Sequence, residues 1–363
     1  MDVLIYGDTV RSPDLRHAVP VAIADAFLYA ERDGRRYVFI ATIEAERIRA
    51  AVDVEVVPPD ELGLDELLAK SVPPRDVRLE LLVRGCEAIG LEAAITPDAF
   101  PVAVADRLRA AGIEVQPDQP TFDDRRRVKN AAELAGIRRA QAAADEMMAA
   151  IRDALRSRDG VTSEELRAEA RAVLSGRDIT LENPIVAHGP QAASVHEEGS
   201  GPVGRDEAVV VDLGVCDGAS GCWADMTRTF CAGTPPPEIV EYQRICREAM
   251  EQVVAEIRPG VSGARLHEVA DGIIAAAGYP TLLTKEPGKP LEDGFLHALG
   301  HGVGLEIHEA PRISRVGDPL VAGDVLAIEP GIYRRGLGGC RLEDLVLVTE
   351  DGAEVLTRFP YEF

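Results

Sequence analysis

The chain has 363 residues, too many for one comfortable core and about right for two domains. Lys and Arg number 39 against 62 Asp and Glu, and the resulting charge of −23 would repel phosphate backbones, which argues against a nucleic-acid protein. No apolar run reaches the roughly 18 residues of a membrane span, and the opening MDVLIYGD has no basic leader segment.

The six cysteines show no C-x-x-C spacing and read as reduced thiols of a cytoplasmic protein. Residues 1 to about 120 alternate short apolar runs with helical stretches, an α/β pattern. Residues 19–31 and 35–42 read as strands around the turn Asp33-Gly34. Residues 44–51 and 61–71 read as helices, 88–95 as a strand, 103–111 as a helix and 112–115 as a short strand. No phosphate loop or dinucleotide fingerprint occurs among them. Residues 116–124 hold Pro117, Pro120 and three acids and read as a break, which divides a domain of residues 1–122 from one of residues 123–363. A long helix follows. Asn130 and Glu133 have capping-box spacing, and Leu134, Ile137, Ala144, Met148, Ile151 and Leu155 form one apolar stripe.

The second part contains an internal repeat. Gly160-Val161-Thr162, then Leu166 and Ala170, recurs 100 residues later as Gly260-Val261-Ser262, then Leu266 and Ala270. Each copy opens a helix behind a hydroxyl cap. A histidine-bearing segment follows each helix. The first holds His188 and His196. The second is FLHALGHGVGLEIHEAP (295–311), with His297, His301 and His308 and alternating glycines at 300, 302 and 304. Imidazole is the commonest metal ligand and the usual acid–base near neutral pH. Each half then offers a strand pair with two acids. Asp212 in AVVVDLG and Asp225 in ADMTRTF are 13 apart, and Glu329 in VLAIEPGIY and Glu343 in CRLEDLVLV are 14 apart. The pattern predicts two similar halves about an approximate two-fold axis, with the acid pairs facing one another.

An ionised acid in an apolar strand is costly unless it is paired or metal-bound. A salt bridge to Arg228 or Arg341 would satisfy one such acid. Four acids arranged symmetrically, with His301, fit a dinuclear centre better. Oxygen-rich ligation with one imidazole suits manganese, iron(II), cobalt or zinc. Cys216, Cys222 and Cys340 lie near these acids and read as packing thiols.

The segments VVVDLG…ADMTRTF, HALGHGVGLEIHEAP, AIEPGIY and CRLED, in this order, resemble the pita-bread metallopeptidases, specifically the prolidase and aminopeptidase P branch, over roughly residues 124–363. The resemblance implies an α+β chain, with a smaller α/β N-terminal domain and a C-terminal pita-bread fold of pseudo-two-fold symmetry. It implies two divalent metal ions, manganese foremost, with cobalt, iron or zinc as alternatives. Asp212 would hold the first ion, Asp225 and Glu343 would bridge both, and His301 and Glu329 would complete the second. His196, His297 and His308 would line the substrate site and hold the scissile carbonyl. Arg341 would border the site, and Glu329 would also pass a proton to the leaving nitrogen.

The implied reaction is hydrolysis of the N-terminal Xaa-Pro bond of dipeptides or short peptides by a cytoplasmic homodimer with no nucleic-acid or membrane partner. The alternatives are a lyase or hydrolase of a small zwitterion and a non-catalytic peptide-binding protein; the complete ligand set argues against the latter. Two features depart from the family pattern. The interval between Asp212 and Asp225 is two residues longer than usual, which predicts a longer hairpin. SPDLRHAVP (12–20) replaces an aromatic-rich segment, which implies a shortened N-terminal domain.

Overall fold

Val3, Leu4 and Ile5 are consecutive and all buried, because both faces of their strand are covered by helices. The computed structural model describes all residues, 1–363, and they divide into two units, Met1–Arg126 and Arg127–Phe363. The first unit runs β1 (Val3–Gly7), α1 (Pro13–Ala18), β2 (Phe27–Arg32), β3 (Arg35–Phe39), α2 (Thr42–Ala51), β4 (Glu55–Val57), α3 (Leu64–Ala69), α4 (Pro74–Ala88), β5 (Ala93–Thr96), α5 (Val102–Ala110), β6 (Glu114–Pro117) and α6 (Gln119–Arg127). Its six strands form a mixed sheet in the order β4-β3-β2-β1-β5-β6. Side chains alternate across a strand. Leu4, Leu28 and Ala30 therefore join α4 and α5 on one face, while Val3, Ile5, Phe27 and Tyr29 join α1 and α2 on the other.

Three local expectations change here. The strand expected over 19–31 begins only at Phe27. Residues before it fold back, with the Thr9 hydroxyl donating to Val21 O and accepting from Ile23 N. The strand expected over 88–95 is the end of α4 followed by β5; α4 has so many charged positions that its apolar stripe is thin. The expected break over 116–124 is instead the end of β6 and most of α6. Pro120 lies in the first turn of α6, where a missing N–H costs nothing.

The second unit opens with α7 (Ala131–Ser157), and its capping box is complete: Asn130 accepts from the Glu133 amide, and Glu133 accepts from the Asn130 amide. Then come α8 (Ser163–Val173), β7 (Ile179–His188), β8 (Val209–Asp217), β9 (Cys222–Phe230), α9 (Pro237–Glu256) and α10 (Gly263–Ala276). The remaining strands are β10 (Gly300–Gly302), β11 (Glu309–Ile313), β12 (Val325–Ile328), β13 (Gly331–Arg334), β14 (Gly338–Arg341), β15 (Asp344–Val348) and β16 (Ala353–Val355). They make a β7-β8-β9 sheet, a β11-β10-β12-β15-β16 sheet and a β13-β14 ribbon.

The internal repeat extends to the backbone. Thr162 caps α8 by accepting from Glu165 N, and Ser262 caps α10 by accepting from Arg265 N. Val203 N donates to Val161 O at 2.9 Å, and Leu320 N donates to Val261 O at 2.8 Å. The strands sit between the two helix pairs. Val325 and Ala327 of β12 pack toward α7 and α8, while Leu326 and Ile328 pack toward α9 and α10. On β8 and β9 the residues Val211, Leu213, Ala224 and Met226 enter the α7–α8 core. Period-2 geometry turns Asp212, Asp225 and Thr227 to the other face. The stretch around the two aspartates forms a regular hairpin of two nine-residue strands, fastened where Arg139 of α7 donates twice to Asp217, at 2.9 and 2.8 Å.

Candidate metal centre

The register of β8 against β9 sets Gly214 opposite Asp225 and Asp212 opposite Thr227, so the two aspartates are diagonal neighbours on one face. The second half delivers its acids by different means. β12 ends at Ile328, and Glu329 follows directly, its amide donating to Leu299 O at 2.8 Å. Glu343 lies between β14 and β15 and is held by its own amide, which donates to Thr227 O at 3.0 Å. β10 runs antiparallel between β11 and β12, with His301 opposite Ala327.

These placements bring the five expected donors together. Ligand atoms of Asp212, Asp225 and Glu343 all lie within 4.8 Å of one another, and the same holds for His301, Glu329 and Glu343, and for Asp225, His301 and His308. The three groups overlap: Asp225, His301 and Glu343 each belong to two. His301 Nδ1 is 3.1 Å from Gly302 O and therefore carries the proton, which leaves Nε2 with a lone pair. That nitrogen is 3.9 Å from both Asp225 Oδ2 and Glu329 Oε1.

The electrostatics favour a cation. Burial, then the neighbouring Glu343, Asp212 and Glu329, raises the Asp225 carboxyl well above the usual carboxylate range. Burial, then Asp212 and Glu329, does the same to Glu343. Burial and Asp212 push Glu329 up to about 8, against the opposing pull of Arg341. Burial pushes His301 down to about 4, helped by His308, so it is neutral at neutral pH, as a ligand must be. Acids that resist ionisation together and an imidazole with an open lone pair form a donor set that divalent cations fit.

One cation of the chain is already present. Arg341 is 2 % exposed and donates to Asp212 Oδ2 at 2.6 Å, to Tyr333 Oη at 3.0 Å, to Thr227 Oγ1 at 3.1 Å and to Val195 O at 3.2 Å. The Thr227 hydroxyl then donates to Glu343 Oε2 at 2.7 Å. A second chain starts from Tyr333. Its hydroxyl lies 2.9 Å from His297 Nε2, and His297 Nδ1 lies 2.7 Å from Ala298 O, so the tyrosine donates and both ring nitrogens of His297 are occupied. Burial, then Arg341, pushes His297 down to about 3. His308 is exposed, with its ring 4.2 Å from that of His301. Its loop is anchored by the Lys129–Glu309 ion pair at 2.7 Å, with both side chains almost fully buried. His196 is exposed in the loop that follows Val195.

Arg228, considered in the sequence as a partner for the acids, bonds none of their four carboxylates. It pairs with Asp344 at 2.8 Å. His188 is also separate: Nδ1 meets Glu207 at 2.7 Å and Nε2 meets Ser200 O at 3.1 Å. Cys222 and Cys340 are fully buried, and Cys216 is half-buried. Thr227 and Tyr333 were not singled out in the sequence. Tyr333 follows Glu329 in the same AIEPGIY segment, which is the one signal that pointed to it.

The sequence pattern of metallopeptidase family M24 matches residues 135–350. The Xaa-Pro dipeptidase of Pyrococcus furiosus is 32% identical over 282 residues, covering 76% of this chain and 75% of that protein. The solved prolidase from Pyrococcus furiosus superposes with a TM-score of 0.79 at 26% identity, over 99% of this chain and 96% of that one. An X-Pro aminopeptidase from Thermotoga maritima gives 0.81 at 23% identity, again over 99% and 96%, and attests the pita-bread fold. With more than half of its length matched and its donors assembled as described, the chain belongs to metallopeptidase family M24.

Proposed function

We propose that the protein is a dinuclear metal-dependent exopeptidase that cleaves the N-terminal Xaa-Pro bond of dipeptides and short peptides. The observation that carries this reading is the overlap of three donor groups through Asp225, His301 and Glu343. Of these three only the carboxylates have two oxygens to share, which supports Asp225 and Glu343 as the residues that would serve both ions, with Asp212 holding the first and His301 and Glu329 the second. Manganese is the proposed metal, because four carboxylates and one imidazole favour a hard ion over a thiolate-seeking one. When bound, two such ions supply Lewis acidity and an activated water.

The chain's own residues supply the rest. Arg341 orients Asp212 and, through Thr227, Glu343. Burial and Arg341 keep His297 neutral and the Tyr333 hydroxyl holds its ring, so His297 and the neighbouring His196 serve as walls of the substrate pocket. His308 is exposed and offers its ring to the scissile carbonyl oxygen. Glu329 lies at the edge of the donor set and would relay a proton to the leaving nitrogen; its own proton, held up to about pH 8 in the metal-free site, is given up when a cation binds. Proline's ring removes the amide N–H, so the pocket needs no acceptor there and can be lined by rings. The substrate's free amine sits on the Asp212 side, which confines cleavage to the N-terminus.

No helix is long and apolar enough to cross a membrane. We place the enzyme in the cytoplasm as a homodimer, in keeping with six cysteines that show no C-x-x-C spacing and with the family resemblance. The deciding experiment adds manganese(II) and compares Ala-Pro and Met-Pro peptides with matched Ala-Ala and Met-Ala peptides. Faster cleavage of the proline partners is expected. Equal or faster cleavage of the others would reduce the protein to a general dinuclear aminopeptidase.

A further inference from the structure

Arg228 lies on β9 between Thr227 and Thr229, on the face opposite Asp225 and Thr227. It is 1 % exposed, and a guanidinium has five N–H donors. Five acceptors meet them. Nη1 donates to Thr227 O at 2.9 Å and to Glu343 O at 2.8 Å. Nη2 donates to Asp344 Oδ1 at 2.8 Å and to Phe359 O at 2.6 Å, and Nε donates to Pro360 O at 3.1 Å. No donor remains for a substrate or a metal-site carboxylate. The ring of Tyr361 covers the guanidinium at 4.6 Å, and its hydroxyl donates to Asp344 Oδ2. Phe359 packs edge-on against Phe230 at 5.9 Å.

The cation therefore joins three separate segments: β9, the Glu343–Asp344 link and the C-terminal stretch 357–363. Two of its five bonds go to the carbonyls of Thr227 and Glu343, the residues whose side chains bond each other at 2.7 Å inside the site. We propose that Arg228 is a positioning residue for the Glu343 carboxylate, and that residues 359–361 act as a clamp holding Arg228 in place, so that metal affinity depends on the C-terminal segment. The proposal rests on the reading of Glu343 as a metal ligand. Residues that orient ligands from behind commonly change metal affinity about 10–100-fold when altered.

The experiment titrates the metal-free protein with manganese(II) and compares wild type with Arg228→Lys and Tyr361→Phe. A lysine keeps the charge but has only three donors for five acceptors. Arg228→Lys should bind about 10–100-fold more weakly, and Tyr361→Phe about tenfold, the low end of that range. The KM for peptide at saturating metal should stay put in both. Ile151→Val, in the core on α7, serves as a control that lowers thermal stability without changing metal affinity. Wild-type affinity in Arg228→Lys overturns the proposal. A loss confined to Arg228→Lys removes the part assigned to the C-terminal clamp. An equal loss in Ile151→Val reduces the effect to general softening and overturns it as well. If Arg228→Lys does not fold, Tyr361→Phe decides alone. A wild-type protein that takes up no metal refutes the proposed function itself, which is a different result from any of these.

Discussion

In the first half of the second unit, β8 runs through Asp212 and on to Asp217; in the second half, β12 stops at Ile328, one residue before Glu329. The local sequences are VVVDLG and LAIEPG, and the difference is Leu213 against Pro330. Leu213 continues the ladder opposite Met226, whereas Pro330 has no N–H to give. The chain after Pro330 leaves the sheet as the β13–β14 ribbon, which brings Tyr333 and Arg341 to the acids. The histidines differ in the same sense. His188 spends both ring nitrogens on Glu207 and Ser200, while His301 keeps Nε2 open. A duplicated scaffold thus becomes a site through asymmetry: one half is a regular platform, and the other is interrupted to supply an open imidazole and a cation.

The sharpest way to break this comparison is to remove a shared ligand. Asp225→Asn should lose metal and turnover together while the protein stays folded; full metal content with wild-type turnover would contradict the bridging role. Next is Arg341→Met, which strands Asp212 and removes a donor from Thr227. Breaking such a buried pair costs about 3–5 kcal/mol, to be read by denaturant unfolding of the metal-free protein. An unchanged midpoint would mean that the ribbon's cation is dispensable. The open imidazole is probed by a pair of variants. His308→Ala should keep its metal and slow by about 10²–10³, the usual effect of losing one donor to an oxyanion, whereas His301→Ala should lose metal; the reverse pattern would exchange their roles.

A pH series sharpens the contrast further. The Glu329 carboxyl is raised to about 8, so its neutral form stabilises the metal-free fold below the ordinary carboxylate range, and that contribution is lost as pH rises through about 8. Bound metal replaces it. The melting-temperature gap between metal-saturated and metal-free protein should therefore widen from about pH 5.5 to about 8.5, and a gap that narrows would count against the cation-centred reading. The smallest effect is expected at His188. His188→Gln should bind metal normally and cost about 1–2 kcal/mol, the scale of a disturbed buried hydrogen bond; altered metal affinity would show that the two halves are not divided in this way.

The five donors were legible in the sequence because carboxylates in apolar strands and histidines among glycines are chemically conspicuous wherever they fall. The repeat was legible too, since Thr162 and Ser262 cap equivalent helices in matching contexts. What could not be read was pairing across distance. Arg228 and Arg341 look interchangeable beside the acids, yet one meets Asp344 and the other Asp212, because successive strand residues face opposite ways and the ribbon folds back. Thr227 matters through Arg341 and Glu343, each more than a hundred positions away. In the first unit, α4 escaped notice because its apolar stripe is thin, and α6 because prolines near a helix start resemble those of a linker.

β10 lies between two neighbours, and its flanking glycines have no slack. A Cβ on Gly300 would strike Ala327 O, and one on Gly302 would strike Ala310 O, both backbone atoms. Neither glycine performs chemistry, yet His301 reaches the acids only because the strand on either side of it is bare. In a saturation library screened for activity, Gly300 and Gly302 would come out as intolerant as the ligands. A tolerance map would therefore outline a centre larger than the reacting groups. It would also show why new chemistry on this scaffold has far more freedom in the separate loops of His196 and His308 than along the strand that carries His301.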